Sequence, residues 1–278
     1  MSAPPRPMLL VHPSASIAET SRVASTSRIG PDVVVGQYSI IEDDVEIGAR
    51  CRIEPHVVVK RWTSLGTDNE VSSGAVLGTD PLDKAFGGGR SYLRIGNGNK
   101  IREHFTISRG TEPESETVIG NGNFIMTSGH IAHNCRIGDN AVIASGALIS
   151  GYVEIEDRAF VSGNIGVQQY LRIGEIAMVG GMTRVNQDVT PYLTHVGPTM
   201  AVHGLNIVGL RRAGLDAGDI DRIRRAYRIL FRSELPLAEA LAKVEMELDG
   251  PHVGHMVEFI RASKKGVCRR KGRGTGEN

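Results

Sequence analysis

The sequence predicts an all-β solenoid of hexapeptide repeats followed by a C-terminal α-helical domain. Three observations carry this. An aliphatic residue returns at every sixth position, from Val11 through Ile17, Val23 and Ile29 to Leu77, again at Ile95, Ile101 and Ile107, and from Ile119 to Val185. A small or β-branched residue sits four positions later (Ser27, Val33, Ser39, Val45, Cys51, Val57, Ala141, Ala147). The pattern then stops near Thr190-Pro191, and helical spacing takes over. Helices repeat near 3.6 residues and flat strands at 2, so a strict six means one short strand and one corner per repeat. Three sides close a coil of eighteen residues, and roughly ten coils stacked ~4.8 Å apart make a prism ~48 Å tall. A β-sandwich, with irregular turns every 8–12 residues, does not produce this phase.

Positions one and five of each repeat are expected to point inward and the others outward. Glycine often follows the aliphatic residue (Gly30, Gly36, Gly48, Gly66, Gly120, Gly138, Gly174), which suits a left-handed corner. The solenoid is assigned to residues 1–196, with breaks at 78–94, which contains Gly87-Gly88-Gly89, and at the acidic segment 108–118. Both breaks keep the phase on either side, so each replaces whole repeats or loops out between intact coils. Loops leaving a rigid scaffold are common carriers of function.

Residues 197–278 read as helical. Asp216 or Asp219 caps a helix with Ile220, Ile223, Tyr227 and Leu230 on one face and Arg225, Arg228 and Arg232 on another. Pro236 opens a second helix over 237–248, and a third spans 252–262. From about residue 264 the basic, Gly-rich end is expected to be disordered.

Bulk composition narrows the function. Net charge is +1 in 278 residues, giving no electrostatic support for nucleic-acid binding. Cys51, Cys135 and Cys268 form no CxxC pair and read as reduced thiols, and the short apolar run over 8–11 is neither signal peptide nor membrane span. A soluble cytoplasmic protein without stable membrane insertion is expected.

The strongest chemical candidate is Ser128-Gly129-His130-Ile131-Ala132-His133-Asn134-Cys135. With Ile131 and Cys135 inward, His130 and His133 project outward, where imidazole serves as general base or metal ligand. Adding eighteen to 133 gives Gly151, and again gives Gln169, so these form one column; Asn134, Tyr152 and Tyr170 form the next. A glycine N–H beside a histidine is an oxyanion donor for acyl transfer, or simply a corner.

The chain resembles the UDP-N-acetylglucosamine acyltransferases of lipid A biosynthesis, within the hexapeptide-repeat acyltransferases. The resemblance runs to about Ala262 through Lys100-Ile101-Arg102-Glu103, Thr106 with Arg109-Gly110-Thr111, the His130–Cys135 stretch, Gly181-Met182, Gln187-Asp188-Val189, Asn206 with Gly209-Leu210-Arg211-Arg212, and Ala226-Tyr227 with Arg232-Ser233. It implies a left-handed parallel β-helix, a homotrimer with sites between subunits, and transfer of a 3-hydroxyacyl chain from acyl carrier protein to the sugar 3-position, without cofactor or metal. It implies His133 as base, Gly151 as oxyanion donor and His130 beside the sugar. Asp83 and Lys84 of the first loop, Tyr152, Gln168 and Gln169 would face substrate. Asn206, Arg211 and Arg212 would hold the nucleotide phosphates, and Gly181 would leave room for the acyl chain. Arg225, Arg228 and Arg232 are candidate docking charges for the acidic carrier.

The sequence departs from that family at Asn134, where an acid is usual, at Tyr152, Gln168 and Ser108 in place of histidines, at Val208 in place of Glu, and at Ala213 in place of a basic residue. These changes leave a 3-amino or other nucleotide sugar as an alternative acceptor. A γ-type carbonic anhydrase with zinc on His104, His130 and His133, and a non-catalytic scaffold, are the rival readings.

Overall fold

The computed structural model describes residues 10–269. The protein is a left-handed parallel β-helix with a short C-terminal helical region. The chain divides into two compact units, one reaching to Ser128 and including Ala132–Asn134, the other formed by Gly129–Ile131 and the chain from Cys135.

In the first unit, short strands of mostly two residues stack as parallel ladders on three sides. Ser16–Ile17, Val34–Val35, Arg52–Ile53 and Glu70–Val71 belong to one, and Arg28–Ile29, Glu46–Ile47 and Thr63–Leu65 to another. Each two-residue strand turns its first residue out and its second in, so Ile29, Ile41, Ile53 and Val59 are at most 2% exposed. Position five is inward as expected, and polar residues there can bond to the next coil: Ser39 Oγ donates to the Glu54 carbonyl at 2.8 Å and Cys51 Sγ to that of Gly66 at 3.0 Å, while the buried Thr63 hydroxyl has no hydrogen-bond partner among the described residues. Where the repeat breaks, position five is asparagine. Asn69 Oδ1 accepts from the backbone N (2.9 Å) and Nδ2 (3.0 Å) of Asn99, and Asn99 Oδ1 does the same for Asn123 (2.9 and 3.0 Å), giving a fully buried amide ladder.

The breaks loop out between intact coils. Glu70 pairs with Arg52 eighteen residues back but with Lys100 thirty residues on, so the loop 80–91 adds twelve residues. Tyr92 pairs with Glu116 at an offset of 24, so the loop 109–115 accompanies an insertion of six. Both insertions are multiples of six, which is why the phase survives.

The corners correct the expectation for glycine. The left-handed residue lies three positions after the aliphatic one and is rarely glycine: Asp32, Tyr38, Asp44, Arg50, His56, Trp62 and Asp68 have φ of 56–63°. Their N–H groups are used in stacking, as when Arg50 donates to the Pro31 carbonyl at 2.8 Å and His56 to that of Gln37 at 2.9 Å. Gly30, Gly48 and Gly66 do not have positive φ; they permit close stacking instead. A Cβ on Gly48 would lie 2.5 Å from the Gly66 carbonyl oxygen.

In the second unit the ladders run His130–Ile131, Leu148–Ile149, Gly166–Val167, Arg184–Val185 and, on another side, Val142–Ile143, Phe160–Val161, Met178–Val179, Leu193–Val196. Leu193–Val196 turns back as an antiparallel hairpin with Ala201–Leu205. Helices α1 (Ile207–Arg212), α2 (Ala217–Tyr227), α3 (Leu237–Glu247) and α4 (Pro251–Ala262) follow, with a π turn over Arg228–Arg232. Asp216 caps α2, its Oδ1 accepting from Asp219 N at 2.7 Å. Ile220, Ile223, Tyr227 and Leu230 join one buried cluster with α3 and α4. The short α1 was not expected; its signal is Asn206, whose Oδ1 accepts from Gly209 N at 3.0 Å.

The end of the chain also differs from expectation. Lys264–Arg269 are ordered, because Asp188 N donates to the Gly266 carbonyl at 2.9 Å and Arg269 donates to the carbonyls of Leu230 (2.8 Å) and Leu235 (3.1 Å). Residues 270–278, the rest of the expected disordered tail, lie outside the described residues. No helix among the described residues is long and apolar enough to cross a membrane.

Candidate active site

Sequence alone placed His133 outward, in solvent. It does face away from the coil core, yet it is only 2% exposed, because the inserted loops cover it. Loop 80–91 brings Asp83 Oδ2 to 3.5 Å from His133 Nε2. Within that loop Asp83 Oδ1 accepts from Ala85 N at 2.9 Å and its carbonyl from Phe86 N at 3.1 Å, a tight turn that fixes the carboxylate.

On the other side of the ring, Nδ1 lies 3.0 Å from Asn134 Oδ1. The amide orientation follows from its other partners. Thr111 N–H must donate, and it meets Oδ1 at 3.0 Å; the Glu112 carboxylate must accept, and it meets Nδ2 at 3.3 Å. Asn134 itself sits at a left-handed corner (φ 58°), its N–H bound to Thr117 Oγ1 at 2.8 Å. With Oδ1 as acceptor, His133 Nδ1 carries a proton, so in the neutral ring the lone pair is on Nε2, on the side of Asp83.

Arg109, Asp80, Trp62 and Phe86 were not singled out as site residues, and Trp62 is the single tryptophan of the chain. Arg109 is 4% exposed and lies with its guanidinium carbon 4.7 Å from the Trp62 ring and 5.0 Å from that of Phe86. Lys84, by contrast, is exposed on the loop surface, and Ser108 Oγ is bound to Thr79 Oγ1 at 2.9 Å.

The remaining candidates belong to the second unit. His130 is half-buried on its strand, and Gly151 is buried. Tyr152 stacks on Tyr170 at 4.8 Å, as the eighteen-residue column requires. Gln168 and Gln169 are exposed. Gly181 is exposed too, and a Cβ there would meet nothing nearer than the Gly163 oxygen at 3.5 Å.

A cavity of about 820 Å³ is lined by Arg158, Phe160, Met178, Asn206, Val208 and Arg212 among others, an apolar floor with two guanidinium groups. Both ends of the Asn206 amide shape this wall, since Nδ2 donates to the Ile176 carbonyl at 2.8 Å while Oδ1 caps α1. Arg211 is exposed and outside the cavity lining. Arg225, Arg228 and Arg232 are exposed, and Arg232 Nε donates to Tyr227 Oη at 2.6 Å. Among the described residues no group of three or more His, Cys, Asp or Glu side chains is arranged to hold a metal ion.

Comparison with known proteins agrees with this architecture. Residues 26–61 and 116–151 match the bacterial transferase hexapeptide (six repeats) family, and residues 188–268 match domain 2 of the Udp N-acetylglucosamine O-acyltransferases. The chain is 41% identical over 255 residues to the acyl-(acyl-carrier-protein)–UDP-N-acetylglucosamine O-acyltransferase of Thermodesulfovibrio yellowstonii, covering 91% of this chain and 99% of that one. It is 39% identical over 214 residues to the enzyme of the same name from Gloeothece citriformis, covering 77% and 78%. The crystal structure of the UDP-N-acetylglucosamine acyltransferase from Bacteroides fragilis superposes with a TM-score of 0.84 at 32% identity, over 93% of this chain and 99% of that one. These relatives favour acyl transfer over the zinc anhydrase and scaffold readings. By identity, coverage and fold, the chain belongs to the family of acyl-(acyl-carrier-protein)–UDP-N-acetylglucosamine O-acyltransferases.

Proposed function

We propose that this protein transfers a 3-hydroxyacyl chain from acyl carrier protein to the 3-position of a UDP-N-acetylglucosamine-type nucleotide sugar, the first step of lipid A biosynthesis, in the cytoplasm and as a homotrimer. The observation that supports the reading is the Asn134–His133 contact, in which Nδ1 donates to the amide oxygen, so that the neutral ring offers its Nε2 lone pair in a covered site. Nε2 takes the proton of the acceptor hydroxyl as its oxygen attacks the thioester carbonyl. The Gly151 N–H holds the tetrahedral oxyanion, and the carrier thiol leaves with the proton returned by His133. Once Nε2 is protonated, the Asp83 carboxylate at 3.5 Å becomes an ion-pair partner.

Arg212 in the cavity lining, with the exposed Arg211 next to it in the chain, supplies the charge for the nucleotide phosphates, and the apolar floor around Phe160 and Met178 receives the flat base. His130, Lys84, Gln168 and Gln169 complete the acceptor and acyl contacts. Tyr152, where the family has a histidine, changes the shape of the acceptor pocket; an amino sugar is the second acceptor to test. Arg225 and Arg228 dock the acidic carrier, with Arg232 held beside them by Tyr227.

The test is acyl transfer from 3-hydroxyacyl carrier protein to a panel of nucleotide sugars, wild type beside His133→Ala. Turnover of UDP-N-acetylglucosamine that falls by at least a thousandfold in the variant is expected. Equal turnover by both proteins would remove His133 as base, and transfer only to a 3-amino sugar would reassign the acceptor.

A further inference from the structure

We propose that Arg109 is a positioning residue for this reaction, a buried hub that fixes both loops facing His133; the inference rests on His133 being the base. Its side chain is 5% exposed, while that of its counter-ion Asp80 is 64% exposed. The guanidinium touches the beginning, middle and end of loop 80–91. Nη2 and Nε donate to Asp80 Oδ1 at 2.9 and 3.2 Å, the Phe86 ring lies at 5.0 Å, and Nη1 donates to the Gly89 carbonyl at 2.8 Å and to Ser91 Oγ at 2.9 Å. Asp83 lies within the span these contacts enclose.

The main chain at the same position opens the second loop. Arg109 N donates to the Thr79 carbonyl at 3.0 Å, Gly110 N to that of Tyr92 at 3.2 Å, and Ser91 Oγ returns to the Gly110 carbonyl at 2.6 Å. One residue further, Thr111 N–H holds Asn134. The side chain of Arg109 therefore sets the loop before Nε2, and its backbone leads into the loop that orients the partner of Nδ1.

Apart from the Asp83 turn and the bond from Glu114 N to the Arg90 carbonyl at 2.7 Å, the middle of the first loop is loosely held. A Cβ on Gly87 or Gly88 would meet nothing within 4 Å, and Leu82 is 83% exposed. A planar fork is required here. Lysine would keep the charge, but it has no face to lay against Trp62 and Phe86 and cannot bridge Asp80 to Gly89. A buried cation deprived of these partners is costly, so wild-type order and charge satisfaction are the same event.

The experiment compares Arg109→Lys, Arg109→Met, Asp80→Asn and His133→Ala with wild type, by steady-state kinetics, thermal melting and limited trypsin cleavage after Lys84 and Arg90. Both Arg109 variants are expected to lose at least tenfold in kcat and to be cut after Lys84 at least tenfold faster. Arg109→Met, which leaves no buried charge, is expected to melt within about 3 °C of wild type, whereas Arg109→Lys keeps a buried cation and melts lower while staying folded at the assay temperature. Asp80→Asn moves the same way by about threefold in kcat, since the Gly89 and Ser91 bonds remain. Full kcat in Arg109→Lys, unchanged cleavage in Arg109→Met, or a loss of activity that only tracks the unfolded fraction would overturn the proposal. An active His133→Ala removes the base reading and this inference together. An inactive His133→Ala beside a fully active Arg109→Lys removes this inference alone.

Discussion

Asn134 Oδ1 accepts two N–H groups at once, from Thr111 N and from His133 Nδ1, each at 3.0 Å. A neutral amide thus orients the histidine where an acid is usual. Asn134→Gly keeps the left-handed corner open to the backbone and deletes the acceptor. It is expected to lower kcat by 10- to 100-fold with little change in melting temperature. Asn134→Asp restores an acceptor for both N–H groups but faces the Glu112 carboxylate, so kcat is expected to stay within about tenfold of wild type. Steady-state kinetics of the two variants distinguishes orientation from bulk.

The corners supply a stability test. Gly48→Ala would push a Cβ to 2.5 Å from the Gly66 carbonyl oxygen, and backbone cannot step aside there. The expected loss is about 1–3 kcal/mol, read by chemical denaturation. Asp44→Gly removes left-handed strain (φ 56°) but adds chain entropy to the unfolded state, and a change within about 0.5 kcal/mol is expected. Equal effects of the two would contradict the assignment of the corner.

Stability is expected to fall as pH rises above neutrality through His255. Its Nε2 lies 3.0 Å from Glu156 Oε2 and its Nδ1 3.7 Å from Glu175 Oε2 and 2.8 Å from Tyr192 Oη, with Arg172 also bound to Glu156 and His252 on the Tyr192 hydroxyl. The Glu156 hydrogen bond, reinforced by the charges of Glu156 and Glu175, raises the His255 pKa against the effect of burial and of Arg172. A raised histidine stabilises fully below its unfolded pKa of about 6.5 and loses that contribution as pH rises through the higher folded value. Melting temperature is expected to drop by a few degrees from pH 6 to 8.5, and His255→Gln should flatten that dependence. A wild-type curve as flat as the variant's would refute it.

Acyl length offers a fourth measurement. At Gly181 a Cβ would lie 3.5 Å from the Gly163 oxygen and 4.0 Å from Ser162 Cβ, ordinary contacts, so a side chain can leave the backbone here without strain. Gly181→Met is expected to shift donor preference toward acyl chains shorter by several carbons, by at least tenfold in kcat/KM, with unchanged melting. Retention of the wild-type preference would place the chain elsewhere.

Periodicity made the core legible down to single residues, because an inward Ile such as Ile53 and its partner position Cys51 recur with the ladder itself. It also placed Tyr152 against Tyr170. What it misassigned were features set by neighbouring coils rather than by local propensity. Gly48 looks like a turn residue in sequence, whereas its constraint is the Gly66 backbone in the next coil. His133 faces outward by phase, yet Asp83, fifty positions earlier, covers it, and loop geometry has no periodic signature. Arg109 stood inside a motif, but its role emerges only when Trp62, Asp80 and Phe86 are seen around it. The helix Ile207–Arg212 was too short to show a periodic face.

The buried asparagines bear on how such loops are carried at all. Asn69, Asn99 and Asn123 stand at the successive coils between which the chain detours through 30 and then 24 residues instead of eighteen. Lengthening the circuit from 18 to 30 raises the entropy of closure by only roughly 0.5 kcal/mol. Each amide step contributes two hydrogen bonds, of about 0.5–1.5 kcal/mol apiece. The seam therefore more than offsets the detour, and it marks the part of the first unit where chain length can grow without loosening the stacked coils.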